Sequence, residues 1–363
     1  MRKEVVVLVG GGTKGHLFPA ISIAQNLQNE QDKVCFIISD IDDPIEAKGL
    51  KTIMIPRMLP KDGLINMVIL IWNMLSTLIR LSCIYIKLKP KLIVGFGGFT
   101  TFIPLAAAVV LRIPIILHEQ NSVLGKVNES MARYACKISL GFFEALVPPK
   151  KYSHKCVFSK NPIRNQIKHQ KTQNTLDSKT LSILVIGGSQ GARVFNTIIP
   201  NAIKLLKQMH PNQQIILTQQ AHEDGQEYLK NFYNEIEVPC ELKQFFFDMS
   251  ERYSKADLVI CRSGASTIEE LVSVHKPSIL IPLPIAAKNH QAINATYLEK
   301  LGCAWLIIQN EQCDTNLANK LSLILQYPKM LQDAAEQLRV LANKPRSTLT
   351  EEVMKTLKAR AQE

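Results

Sequence analysis

The 363-residue chain has eight cysteines but no C-x-x-C pair and no Cys/His spacing suited to zinc. The cysteines (Cys35, Cys83, Cys136, Cys156, Cys240, Cys261, Cys303, Cys313) are scattered, which excludes a disulfide framework and points to reduced thiols of a cytoplasmic protein. There is no apolar signal region followed by a small-residue cleavage site, so export is not expected. Aromatic residues are only 6% of the chain and do not interleave with basic stretches; no nucleic-acid-binding module is recognisable, and nucleic acid is not an expected partner. The sequence also lacks an uncharged run of the roughly 20 residues a bilayer span needs. Its most apolar stretch, 64–88, offers 16 uncharged residues, Leu64 to Ile79, before Arg80. The one cluster of carboxylates, "DIDD" at 40–43, reads as a surface turn rather than a metal–diphosphate site, and no metal or other cofactor is expected.

An apolar share of 46% excludes a disordered chain, and the length fits two domains of ordinary size. Lys and Arg number 43 against 31 Asp and Glu, a net charge of +12. Residues 1–161 hold 20 of the cations against 11 acids. A basic first half fits a phosphate-rich substrate or an anionic membrane surface.

Short apolar runs ending in Gly, Ser or Asp recur at 5–9, 34–39, 92–98, 113–120, 181–189, 214–218, 256–264 and 278–282, separated by helix-period segments. Continuous rather than alternating apolar runs are what strands buried on both faces require, so the pattern predicts α/β, doubly wound parallel sheets. A polar stretch, 164–180, reads as an interdomain linker. Beyond it "LSILVIGGSQGARVFNTIIPNAIKLL" repeats the outline of "EVVVLVGGGTKGHLFPAISIAQNL": strand, glycine loop, helix. Two Rossmann-like halves are therefore expected to face one another across a cleft, with ligands at the carboxyl ends of their strands.

Gly10, Gly12 and Gly15 spell G-x-G-x-x-G after the first strand. Such a loop lets backbone N–H groups approach phosphate oxygens while the following helix directs its positive end at them. Asp40, after the second strand, roughly fits the acidic residue that a nicotinamide dinucleotide requires on its ribose. That reading leaves the loops 95–99 and 187–191 and "HEQN" at 118–121 unexplained.

"GGGTKGHLFPA", "GFGGFTTFIP", "LHEQNSVLGKVN", "KNPIR", "GGSQGAR", "CRSGASTIEE" and "KNHQAINA" occur in the order and spacing of the MurG family of bacterial glycosyltransferases, which the chain resembles over nearly its whole length. The resemblance implies a GT-B fold and inverting transfer of N-acetylglucosamine from UDP-N-acetylglucosamine to the 4-hydroxyl of undecaprenyl-pyrophosphoryl-N-acetylmuramyl-pentapeptide (lipid I), giving lipid II for peptidoglycan. It implies an acceptor and membrane-associating domain at 1–161, joined by a C-terminal helix at 346–363, and a UDP-sugar domain at 162–345. It also implies peripheral attachment to the anionic cytoplasmic face of the plasma membrane, with cell-wall or division proteins as further partners. The rivals are a UDP-sugar:diacylglycerol glycosyltransferase and, from other classes, a nicotinamide oxidoreductase or a silent membrane adaptor.

Carried over by motif, the donor site comprises Thr13, Lys14, Gly15, Asn121, Arg164, Ser189, the backbone of Phe246, Ala265, Ser266, Thr267, Ile268, Glu269, Glu270 and Gln291. The acceptor site comprises Gly12, Lys14, Gly97 and Gly98. The chemistry agrees: a carboxylate such as Glu270 can accept from ribose hydroxyls, and the amides of Asn121 and Gln291 can both donate to and accept from a sugar. The departing diphosphate would meet the helix start after Gly187–Gly191. His16 and Glu119 are both candidates for the base, His16 having a suitable intrinsic pKa. His118, Cys261 and Arg262 read as supports for the loops. Lys14 and Lys160 stand where the family has glycine, and a positive φ at either would strain a lysine.

Overall fold

The computed structural model describes the chain apart from residues 1–3, 30–32, 41–48, 58–62, 143–147, 149, 165–166, 168–179, 189–190 and 363, and apart from the side chains of Lys14 and Leu64. It divides into two compact units, residues 1–164 with 346–363, and residues 165–345. Most of the expected linker, 164–180, lies outside the described residues.

The first unit starts with β1 (Glu4–Val9), α1 (Lys14–Gln28), β2 (Lys33–Ser39), β3 (Lys51–Met54) and α2 (Leu64–Leu88). It continues with β4 (Leu92–Gly95), α3 (Phe102–Val110), β5 (Ile115–Glu119), α4 (Lys126–Met131), β6 (Lys137–Leu140) and β7 (Cys156–Lys160). Every strand pairing is parallel, in the order β7-β6-β5-β4-β1-β2-β3. Alternate side chains of β1 serve opposite faces, as a pleated strand requires. Val7 and Val9 pack with Leu81 and Tyr85 of α2 and Leu105 of α3. Val6 and Leu8 pack with Leu17, Ile21 and Ala24 of α1.

The second unit holds β8 (Thr180–Ile186), α5 (Phe195–Met209), β9 (Gln214–Gln220), α6 (Glu223–Glu235), β10 (Cys240–Lys243), α7 (Met249–Lys255) and β11 (Leu258–Cys261). Then come α8 (Ala265–Ser273), β12 (Ser278–Leu280), α9 (His290–Lys300), β13 (Ala304–Leu306), α10 (Cys313–Gln326) and α11 (Lys329–Ala342). Its sheet is also parallel, in the order β10-β9-β8-β11-β12-β13. Both sheets thus run outward in two directions from their first strand, the doubly wound arrangement. The strand order reverses between β1 and β4 in one unit and between β8 and β11 in the other, and the crevice at the carboxyl ends of such a pair is where this fold binds ligands.

The chain then returns to the first unit. β14 (Ser347–Thr348) pairs with β7, and α12 (Leu349–Ala361) covers the α1 face with Leu349, Val353 and Leu357. Thr348 and Glu351 form a reciprocal capping box at its start. The buried carboxylate of Glu352 accepts from Lys137 of β6 at 2.7 Å, which fixes the helix to the sheet.

α2 coincides with the apolar stretch 64–88 and runs 25 residues, about 37 Å at the usual rise. Over Ile65–Leu88 it is long and apolar enough, by length and composition alone, to cross a membrane. Its second half is held by the unit through Thr77, Leu81 and Tyr85, which are buried at a four-residue spacing, while Ile65, Val68, Ile69, Trp72 and Leu75 remain exposed. Lys14 is the first residue of α1 and Lys160 the last of β7, and neither is among the residues with positive φ, so the strain a lysine would suffer there does not arise.

Candidate active site

In the first unit the loops after β1 and β4 meet. Gly12 has φ +81° and its N–H donates to Oδ1 of Asp40, just after β2, at 2.7 Å. A Cβ on Gly11 would lie 2.4 Å from that same oxygen, and one on Gly10 2.5 Å from the His16 carbonyl, so both positions need glycine. Thr13 is the extended N-cap of α1, and its carbonyl accepts the N–H groups of His16 and Leu17. In the second loop Gly97 and Gly98 have φ +79° and +85°. A Cβ on Gly98 would lie 3.0 Å from the Gly11 carbonyl and 3.1 Å from Cδ2 of His16. Gly12, Thr13, Gly15, His16, Gly97 and Gly98 therefore belong to one constellation at the strand-order reversal. The carboxylate of Asp40 is turned onto the loop backbone, which takes from the nicotinamide reading the group it needs on a ribose.

The end of β5 forms a second constellation. Glu119 is 4% exposed, and its two oxygens take four hydrogen bonds. Oε1 accepts from the backbone and side-chain nitrogens of Asn121 at 3.1 and 3.4 Å, and Oε2 from Gly125 N–H at 2.8 Å and Asn128 Nδ2 at 2.9 Å. Asn128 also abuts the second glycine loop, 3.2 Å from where a Gly97 Cβ would be. Beside it His118 is fully buried, bonded to Ser139 at 3.1 Å and Asn161 at 3.0 Å, and Asn161 in turn donates to the Gln120 carbonyl. Burial dominates and lowers the His118 pKa to about 4, against the opposing effect of its hydrogen bonds. His118 is thus a neutral strut; in the second unit Arg262 also serves as a support, its guanidinium donating to the carbonyls of Ile281 and Pro282 and lying over Phe195. Arg164 lies over the ring of Phe18, 5.8 Å from its centroid.

In the second unit Gln220 fixes the loop after β8. Its Oε1 accepts from Gly187 N–H at 3.1 Å, and its Nε2 donates to the carbonyls of Gly188 and Gln244. Ser189 lies outside the described residues. The buried Phe246 follows, beneath Arg252, which Glu241 and Asp248 hold in place. α8 starts on Gly264, an N-cap with no side chain to give, so the N–H groups of its first turn form a bare positive helix end after β11. Ile268 is fully buried, which leaves only its backbone for a ligand. Glu269 and Glu270 are 4% and 5% exposed, and Oε2 of Glu270 accepts from the Tyr253 hydroxyl at 2.9 Å. Gln291 ties this segment to α9: its carbonyl accepts from Ser263, and its Oε1 from Leu283 N–H. Among the described residues no three His, Cys, Asp or Glu side chains gather as a metal site; Asp42 and Asp43 lie outside them.

Two family models match the chain: the glycosyltransferase family 28 N-terminal domain over residues 6–140 and the glycosyltransferase family 28 C-terminal domain over residues 182–352. A transferase of Rickettsia bellii, named "UDP-N-acetylglucosamine--N-acetylmuramyl-(pentapeptide) pyrophosphoryl-undecaprenol N-acetylglucosamine transferase", is 37% identical over 359 residues, 96% of this chain and 99% of the relative. This chain belongs to glycosyltransferase family 28. A family 28 relative of the same name from Rickettsia canadensis is 36% identical over 353 residues, with the same coverage. In fold the chain is similar to the crystal structure of Acinetobacter baumannii MurG, at 24% identity, a TM-score of 0.76, and coverage of 98% of this chain and 99% of that one. The two parallel-sheet α/β units are those of a GT-B glycosyltransferase.

Sequence reasoning passed over Asn128, Gln220 and Tyr253. Asn128 lies inside a quoted motif but carries no signal of its own, and Gln220 and Tyr253 reach their partners from 33 and 17 residues away.

Proposed function

We propose that this chain transfers N-acetylglucosamine from UDP-N-acetylglucosamine to the 4-hydroxyl of lipid I, with inversion at the anomeric carbon, to give lipid II. The observation that carries this reading is the similarity to the Rickettsia transferases, which covers 96% of this chain and 99% of each relative. It favours lipid I over a diacylglycerol acceptor.

In this reading the second unit binds the donor. The backbone at Phe246 pairs with the uracil edge, Glu270 accepts from the ribose hydroxyls, and Ala265, Ser266 and Thr267 at the start of α8 face the diphosphate with Ser189 and the Gly187–Gly191 loop. Ile268 and Glu269 complete that turn. The charge that develops on the leaving diphosphate is stabilised by these fixed N–H dipoles. Asn121 and Gln291 read the sugar hydroxyls, and Thr13, Gly15 and Arg164 belong to the donor set.

The acceptor's pyrophosphate lies against Lys14 and against Gly12, Gly97 and Gly98, whose positive φ values suit glycine and keep the backbone free of side chains there. His16 takes the proton of the attacking hydroxyl. Glu119 is a positioning residue, since four donors already occupy its oxygens and two of them belong to Asn121.

The exposed stripe Ile65, Val68, Ile69, Trp72 and Leu75 of α2, in the more basic half of the chain, docks peripherally on the anionic leaflet that carries the polyprenyl acceptor. Cell-wall or division proteins as partners rest on the resemblance alone. Calorimetry tests the donor half: UDP-N-acetylglucosamine and UDP are expected to bind and NADH is not. Tight NADH binding without UDP binding overturns the reading.

A further inference from the structure

We infer that Asp40 is a positioning residue which, through the Gly12 amide, sets the loop that carries His16; the inference rests on the acceptor-side reading proposed above. The +81° φ of Gly12 turns its N–H back toward the end of β2, where Oδ1 of Asp40 accepts it at 2.7 Å across a gap of 28 residues. A charged acceptor makes this bond shorter and stronger than a neutral one would. Gly11 is packed against the same carboxylate: a Cβ there would stand 2.4 Å from Oδ1 and 3.0 Å from Oγ1 of Thr100.

Oδ2 of Asp40 and Oγ1 of Thr100 are both buried and have no hydrogen-bond partner among the described residues. Buried polar atoms without a protein partner are uncommon, and each calls for an explanation. At Asp40 the other oxygen, Oδ1, is committed to holding the loop. The Gly11 carbonyl and the His16 ring both press on the space where Gly98 lacks a side chain, at 3.0 and 3.1 Å from a Cβ position. Asp40, Gly11, Gly98 and His16 therefore form one packed series, and movement of the loop at Gly11–Gly12 passes to the imidazole. The bond also consumes the Gly12 N–H, so an anion at this loop is met by the amides that follow it, at the start of α1.

The experiment compares Asp40→Ala and Asp40→Asn with the full-length protein. Peptide-level hydrogen exchange over residues 10–16 reads the strap without turnover. It should quicken in Asp40→Ala and stay near wild type in Asp40→Asn, whose amide oxygen still accepts. Kinetics on a lipid I analogue should show kcat lowered about 10- to 100-fold in Asp40→Ala, the scale of a misplaced catalytic group. The KM for UDP-N-acetylglucosamine should be unchanged within about twofold, and Asp40→Asn should recover most of the rate. Gly11→Ala keeps the carboxylate but forces it off the loop, and should repeat the kcat-specific loss if Asp40→Ala does not fold. Wild-type exchange over 10–16 in Asp40→Ala overturns the inference, as does wild-type kcat in Asp40→Ala or Gly11→Ala, or an Asp40→Asn as impaired as the alanine. A wild-type protein that transfers no sugar contradicts the functional reading instead, and the exchange experiment still decides on the strap.

Discussion

The hydroxyl of Tyr253 donates to Oε2 of Glu270 at 2.9 Å, with both side chains buried. The bond orients a carboxylate that the proposed mechanism assigns to the ribose of the donor. Glu270→Ala should weaken UDP binding about 10- to 100-fold, the loss of a hydrogen bond to a charged group being worth roughly 1.5–3 kcal/mol. Tyr253→Phe should weaken it less, since the carboxylate remains. Calorimetry on the folded variants checks both, and wild-type affinity in Glu270→Ala would remove the residue from the donor site.

His16→Ala should lower the rate at saturating acceptor by about 10²–10⁴, the usual effect of losing a positioned base, and leave UDP affinity nearly unchanged. Steady-state kinetics with calorimetry separate the two quantities. A variant impaired only in acceptor KM would make His16 a binding group.

Glu119→Gln keeps one acceptor oxygen for its donors, whereas Glu119→Ala strands all four. The alanine variant should lose about 3 kcal/mol or more in denaturant unfolding, by the cost of leaving buried donors unsatisfied, and the glutamine variant clearly less. Both should retain the acidic limb of the pH–rate profile, where the rate falls as the base becomes protonated. Disappearance of that limb in Glu119→Gln would identify Glu119 as the base.

His118 should make folding stability depend on pH. Burial lowers its pKa in the folded chain from 6.5 to about 4, so between these values the unfolded chain binds the extra proton. The stabilisation is fully present above about pH 6.5 and declines by about 3 kcal/mol as the pH falls toward 4. Urea titrations at a series of pH values should show this slope, and His118→Gln should flatten it. An unchanged slope in the variant would assign the effect to other groups.

Ile69 and Trp72 are 51% and 71% exposed on α2. Replacing both with serine should leave the melting temperature nearly unchanged while reducing sedimentation with phosphatidylglycerol vesicles. Activity on a short-chain soluble acceptor should persist. Unfolding of the double variant would mean that these side chains support the fold, and undiminished sedimentation would move the membrane contact elsewhere.

The doubly wound sheets were legible because their strands are continuous apolar runs: Val6 to Val9 are buried on both faces and carry no polar alternation. The glycine loops were legible because Gly12, Gly97 and Gly98 hold φ values that other residues avoid. Contacts that depend on distant chain were not. Nothing near Asp40 in the sequence says that its carboxylate turns inward to Gly12, and as a lone acid after a second strand it fits a ribose partner equally well. Glu119 shows the same limit: a carboxylate beside Asn121 is compatible with a base until Gly125 and Asn128 are seen to fill its oxygens. The extent of α2 was legible, since the apolar stretch 64–88 is the helix from end to end, with Arg80 and Lys87 inside it.

The most direct test is transfer of labelled N-acetylglucosamine from UDP-N-acetylglucosamine to a lipid I analogue, with UDP-glucose, UDP-galactose and diacylglycerol as controls. The expected result is a labelled disaccharide-lipid with a β linkage, formed with release of UDP and with little product from either alternative donor or from diacylglycerol. Label recovered on diacylglycerol, or no transfer to lipid I by protein that binds UDP, would contradict the account.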